Sequence, residues 1–68
     1  LDLLLFHRGR RIGVECKRMD APQLPPSMRT ALAALKLDHL TVVYPGEQPY
    51  SLANNVEVVP LAHMVRAT

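Results

Sequence analysis

Three prolines crowded into residues 22–26, Pro22, Pro25 and Pro26, decide how this chain is divided. Proline has no N–H to give to a ladder or a helix interior, and it drives the residue before it toward extended backbone, so Ala21 to Pro26 is a stiff connection. Regular structure must form on either side of it. On the near side, Asp2–His7 and Arg11–Arg18 are two stretches rich in Leu, Ile and Val, separated by Arg8-Gly9-Arg10. Glycine supplies the backbone freedom of a tight turn, which makes this a hairpin. On the far side, Ser27 stands as the N-cap of a helix running to Leu37. Met28, Ala31, Leu32 and Leu35 lie at helical spacing as its buried face, with Arg29, Thr30, Ala33 and Lys36 opposite. His39–Tyr44 (HLTVVY) then has the branched and aromatic content of a buried strand, ended by Pro45-Gly46.

Strand, helix, strand is the order of a crossover, so Arg11–Arg18 and His39–Tyr44 are expected to be parallel neighbours. Tyr50–Ala53 reads as a short edge segment, Asn54-Asn55 as a turn and Val56–Val59 as a last strand. Pro60 suits the first turn of a terminal helix carrying Leu61, Met64 and Val65. The expectation is an α/β fold over residues 1–68, one domain: a mixed sheet with a β-hairpin, a crossover helix, a parallel strand and a terminal helix.

A chain of 68 residues hides only about 60 % of the surface its unfolded form exposes, so stability is marginal. The 49 % hydrophobic content, set against 21 % charged residues, excludes a disordered or collagen-like chain. The longest apolar run, Leu3–Phe6, is far below the ~20 residues of a membrane span, so no membrane partner is expected. The single cysteine, Cys16, cannot close an internal disulfide, which points to a reducing compartment and a cytoplasmic protein. Cys16 shares a face with Ile12 and Val14 and reads as a small buried hydrophobe. Tyr44 and Tyr50 read as core packing, and His7, His39 and His63 as structural or surface groups without zinc spacing. The chain opens on Leu1, directly in an apolar run, as would a fragment of a longer polypeptide whose upstream part completes the core. Apolar surface around Leu4, Phe6 and the face of Leu40 to Tyr44 is then exposed, and a homo-oligomer is expected.

Net charge is only +2, but five of the eight cations (Arg8, Arg10, Arg11, Lys17 and Arg18) fall in the first eighteen residues. Arg8, Arg10 and Arg11 at the hairpin tip are candidates for contacts to a nucleic-acid backbone. In Val14-Glu15-Cys16-Lys17 alternate side chains share a face, so Glu15 and Lys17 point together. With a two-residue loop of Arg8-Gly9, Asp2 faces Glu15 directly; with Gly9-Arg10, it faces Lys17. A three-residue loop without a bulge would set Asp2 against Cys16, on the wrong side. Two carboxylates in reach of one point are the oxygen donors a hard cation such as Mg²⁺ prefers. A lysine beside them suits phosphodiester hydrolysis, where it can hold the attacking water and offset transition-state charge. The plainer alternative is a solvated strand face with an ordinary ion pair.

Asp2, a hairpin-length gap and Glu15-x-Lys17, followed by helix and strand, resemble the PD-(D/E)xK (restriction-endonuclease-like) superfamily. More narrowly, Asp2-Leu3-Leu4-Leu5, Gly9-Arg10-Arg11-Ile12-Gly13-Val14-Glu15-Cys16-Lys17, Val42-Val43-Tyr44-Pro45-Gly46-Glu47 and Val58-Val59-Pro60-Leu61 are similar to the nuclease-like C-terminal domain of bacterial and archaeal AAA-type ATPases. The resemblance implies a partial restriction-endonuclease-like core, with Asp2 and Glu15 as ligands of Mg²⁺ or Mn²⁺ and Lys17 as the catalytic lysine. DNA and an upstream ATPase domain of the same polypeptide would be the partners. Leu1 stands where the motif's proline would be, and the superfamily's preceding helix, often with another acidic ligand, would lie upstream. No Gly-x-x-x-x-Gly-Lys-Ser/Thr loop occurs, so any ATPase site lies elsewhere. A module that kept the fold and the charges but serves only interaction or oligomerisation is the alternative, and a plain nucleic-acid adaptor is the third.

Overall fold

The computed structural model describes residues 1–66. The hairpin forms from β1 (Leu3–His7) and β2 (Arg10–Cys16). Its two-residue turn puts Arg8 at φ 52° and Gly9 at φ 78°, the positive values that match a hairpin turn to the twist of its strands. Leu3 lies opposite Val14 and His7 opposite Arg10. After the proline connection come α1 (Pro26–Ala34), β3 (His39–Tyr44), β4 (Tyr50–Ala53), β5 (Val56–Pro60) and α2 (Leu61–Arg66). The five strands make one mixed sheet in the order β1-β2-β3-β5-β4; β2, β3 and β5 run parallel, and the two edges run antiparallel to their neighbours. The α/β class, the crossover and the parallel pairing of β2 with β3 agree with the sequence.

One face of the sheet meets α1. Leu40, Val42 and Tyr44 of β3 and Val56 and Val58 of β5 share that face and pack with Met28 and Leu37, while Leu4, Leu24, Leu32, Tyr50 and Leu52 border them. Tyr44 and Tyr50 pack edge to face with centroids 5.8 Å apart, and the Tyr50 hydroxyl donates to the Pro22 carbonyl at 2.8 Å, fastening the proline connection to the sheet. Leu40 to Tyr44 are therefore covered, contrary to the exposure expected of them. On β1, Phe6 is exposed as expected, Leu4 is half-buried, and Leu3 and Leu5 are exposed as well.

The helix differs from the sequence reading at both ends. Pro25 is the N-cap and Pro26 opens the first turn, where its fixed φ and missing N–H cost nothing, so Ser27 lies inside the helix and makes no cap. At the other end Lys36 takes a left-handed φ of 51°. Its N–H bonds the Ala33 carbonyl, and the Leu37 N–H bonds the Leu32 carbonyl, a Schellman closure with lysine where glycine is usual. The closure turns Leu37 into the core and leaves Leu35, expected on the buried face, exposed. Cys16 also departs from expectation: it is exposed, as the last residue of β2 on the sheet face away from α1. Pro60 ends β5 rather than starting α2, in which Leu61 and Met64 are exposed; the Val65 side chain lies outside the described residues. Among the described residues no helix is long and apolar enough to cross a membrane.

Candidate metal and phosphate site

The Arg8-Gly9 turn selects one of the two favourable registers. Continuing it by one residue past Leu3↔Val14 sets Asp2 against Glu15. At this point the ladder changes character, since Asp2 offers its side chain in place of a backbone carbonyl: Oδ2 accepts the Cys16 N–H at 2.7 Å while the Asp2 N–H reaches the Val14 carbonyl at 3.2 Å. The carboxyl is thus fixed by backbone, on the residue across the hairpin from Glu15. The Cys16 N–H, then the Glu15 side chain, hold Asp2 below its ordinary value of 3.8 against an opposing effect of burial, and the charge of Lys17 adds to the lowering. Asp2, Glu15 and Lys17 are therefore brought together.

Glu15 is largely shielded, with its Oε2 3.5 Å from the Leu1 amino group. Glu15 and Lys17 line a cavity of about 100 Å³ closed on the helix side by Ser27, Met28 and Ala31. Lys17 follows the end of β2, yet its N–H still bonds the Val43 carbonyl at 2.8 Å, which holds it in strand alternation with Glu15. The position of each group comes from ladder hydrogen bonds rather than from side-chain packing.

The three arginines do not form one patch. Arg8 and Arg10 are exposed at the turn, whereas Arg11 lies against the Phe6 ring with its guanidinium carbon 5.4 Å from the centroid. The Arg11 Nε is buried without a partner, and its backbone is tied to Asp38 through N–H to Oδ2 at 2.7 Å and carbonyl to N–H at 2.8 Å. A second polar cluster had no sequence signal. His39 Nε2 lies 3.1 Å from Glu57 Oε1, and the Thr41 hydroxyl donates to the same oxygen at 3.5 Å, on the face away from α1. It exists because β5, not β4, lies beside β3.

Two carboxylates are what the donor set offers: among the described residues no group of three His, Cys, Asp or Glu side chains converges on one point. The pair still fits Mg²⁺, which takes one or two protein carboxylates and fills its other positions with water and substrate phosphate.

The chain is similar to uncharacterised proteins of Mycobacterium bovis and Mycobacterium tuberculosis, each 45 % identical over 60 residues, a span of 88 % of this chain and 14 % of the relative. The chain thus spans about one seventh of the length of the curated relatives it matches. No family model matches, and no solved structure matches.

Proposed function

We propose that the chain is part of a restriction-endonuclease-like nuclease domain, carried by a longer AAA-type ATPase, that hydrolyses DNA phosphodiesters with Mg²⁺ or Mn²⁺. The observation that carries the reading is the placement of Asp2 across the hairpin from Glu15, with Glu15 and Lys17 lining one cavity, on a hairpin that feeds a crossover helix. Asp2 and Glu15 would hold the ion, and Lys17 would orient the attacking water and offset charge on the phosphate. The ion, when bound, acts as Lewis acid and acidifies its water. One Asp2 oxygen accepts the Cys16 N–H, so backbone orients the carboxylate. Arg8 lies six residues along the strand from Asp2, about 20 Å at strand rise, so the tip would touch DNA backbone about six base pairs from the scissile phosphate.

Calorimetric titration with Mg²⁺ and Mn²⁺, combined with nicking of supercoiled DNA by the protein, tests this. Lys17→Ala is expected to abolish nicking and keep metal binding, whereas Glu15→Ala loses both. A protein that neither binds metal nor nicks DNA supports the second reading, a non-catalytic interaction module of the ATPase. The commitment of Asp2 Oδ2 to the Cys16 N–H and the two-carboxylate donor set favour that alternative.

A further inference from the structure

The two edges of the sheet are built differently. β4 has four residues, follows Pro49 and breaks register between Ser51 and Ala53, all features that keep a second strand from adding to an edge. β1 has five regularly paired residues, Leu-Leu-Leu-Phe-His, with no proline, no bulge and no lysine or carboxylate. Among the described residues β1 pairs on one side only.

The hydrogen bonds fix which groups face outward. Arg11 spends its N–H and carbonyl on Asp38 at the β3 side, and the Cys16 N–H and Val14 carbonyl point to β1. Even-numbered residues of β2 therefore bond β1 through Leu3, Leu5 and His7, and the backbone groups of Leu4 and Phe6 point away from the sheet. Leu3, Leu5 and Phe6 flank this row at 49, 44 and 68 % exposure.

We infer that β1 is a self-association edge at which a second copy of this chain adds antiparallel about a two-fold axis through Leu5. Backbone alone selects this register. Centring the axis on Leu4 would need the Asp2 N–H, which is spent on Val14, and centring it on Phe6 would need Arg8, which is in a left-handed turn. Only the Leu5 axis sets Leu4 against Phe6 of the other copy at both ends and uses every outward group. It also carries the Arg8 cation toward Asp2 of the other copy, an opposite-charge match that a self-complementary strand needs.

Sedimentation of the chain across micromolar concentrations tests the edge. Phe6→Pro removes an outward N–H together with the exposed ring that Arg11 lies against, and leaves the backbone bonds to β2 in place, so it should fold and raise the dimer dissociation constant by about tenfold or more. Arg8→Asp keeps a residue tolerant of left-handed φ and should raise it about two- to fivefold, less at high salt. A wild-type chain that stays monomeric at high micromolar concentration overturns the inference. So does a dimer that Phe6→Pro, folded by circular dichroism, leaves intact.

Discussion

The β3–β5 pair and the β1–β2 hairpin belong to one sheet but are held by different forces. In the pair, Leu40, Val42, Val56 and Val58 are at most 1 % exposed, pressed between the sheet and α1. In the hairpin, every residue of β1 except Leu4 is exposed, and its register rests on the Arg8-Gly9 turn and the ladder. A charge on β1 is therefore placed by backbone geometry and keeps contact with water, as Asp2 does across the hairpin from Glu15. The same two carboxyls at the positions of Val42 and Val58 would unfold the chain. The centre carries stability and the periphery carries chemistry, so substitutions in the two regions should separate by kind.

The largest effect expected is at the centre. Leu40→Ala should cost about 2–5 kcal/mol, a large share of what a domain of this size possesses, and much of the chain should unfold near room temperature. Leu5→Ala, a similar truncation on the hairpin, should cost under about 1 kcal/mol. Urea titration compares them, and equal losses would break the contrast. Gly13→Ala lies where the regions touch: a Cβ there would stand 2.7 Å from Leu37 Cδ1 and 3.2 Å from Leu40 Cδ1. Those are ends of flexible side chains, which can yield, so a loss of about 1–3 kcal/mol is expected.

The hairpin, the crossover helix and the parallel pairing were legible because each has a local cause: Gly9 for the turn, prolines for the break, branched residues for β3. The pairing of Asp2 with Glu15 was legible as one of two favourable registers of equal parity, and the choice of Arg8-Gly9 as the turn decided it. Features needing a third element were not legible. The His39–Glu57 contact depends on β5 entering the sheet inside β4. The exposure of Leu35 follows from the left-handed turn at Lys36, a conformation that a lysine does not advertise.

That turn gives a prediction of opposite sign. Lys36→Gly relieves a left-handed residue without removing a packed side chain, since Lys36 is exposed. Stability should rise by about 0.5–1 kcal/mol, seen as a higher urea midpoint with unchanged slope. A fall would show that the helix end is held by something other than the Schellman bonds.

The smallest effect belongs to the hairpin and is read best through pH. Asp2 holds its charge more firmly in the folded chain than its ordinary 3.8, first because of the Cys16 N–H and then because of Glu15. A carboxyl with a lowered folded value contributes stability that is complete above 3.8 and disappears as pH falls through the folded value. Asp2→Asn retains an oxygen for the Cys16 N–H but cannot titrate. The variant should be slightly the less stable at neutral pH, and the gap should close below 3.8, so the acid limb of its urea midpoint is the flatter one. Since Asp2 is exposed, added salt should narrow the gap. Acid limbs of equal slope would mean that Asp2 is not held by the ladder, and the backbone-built pair of carboxylates would lose its basis.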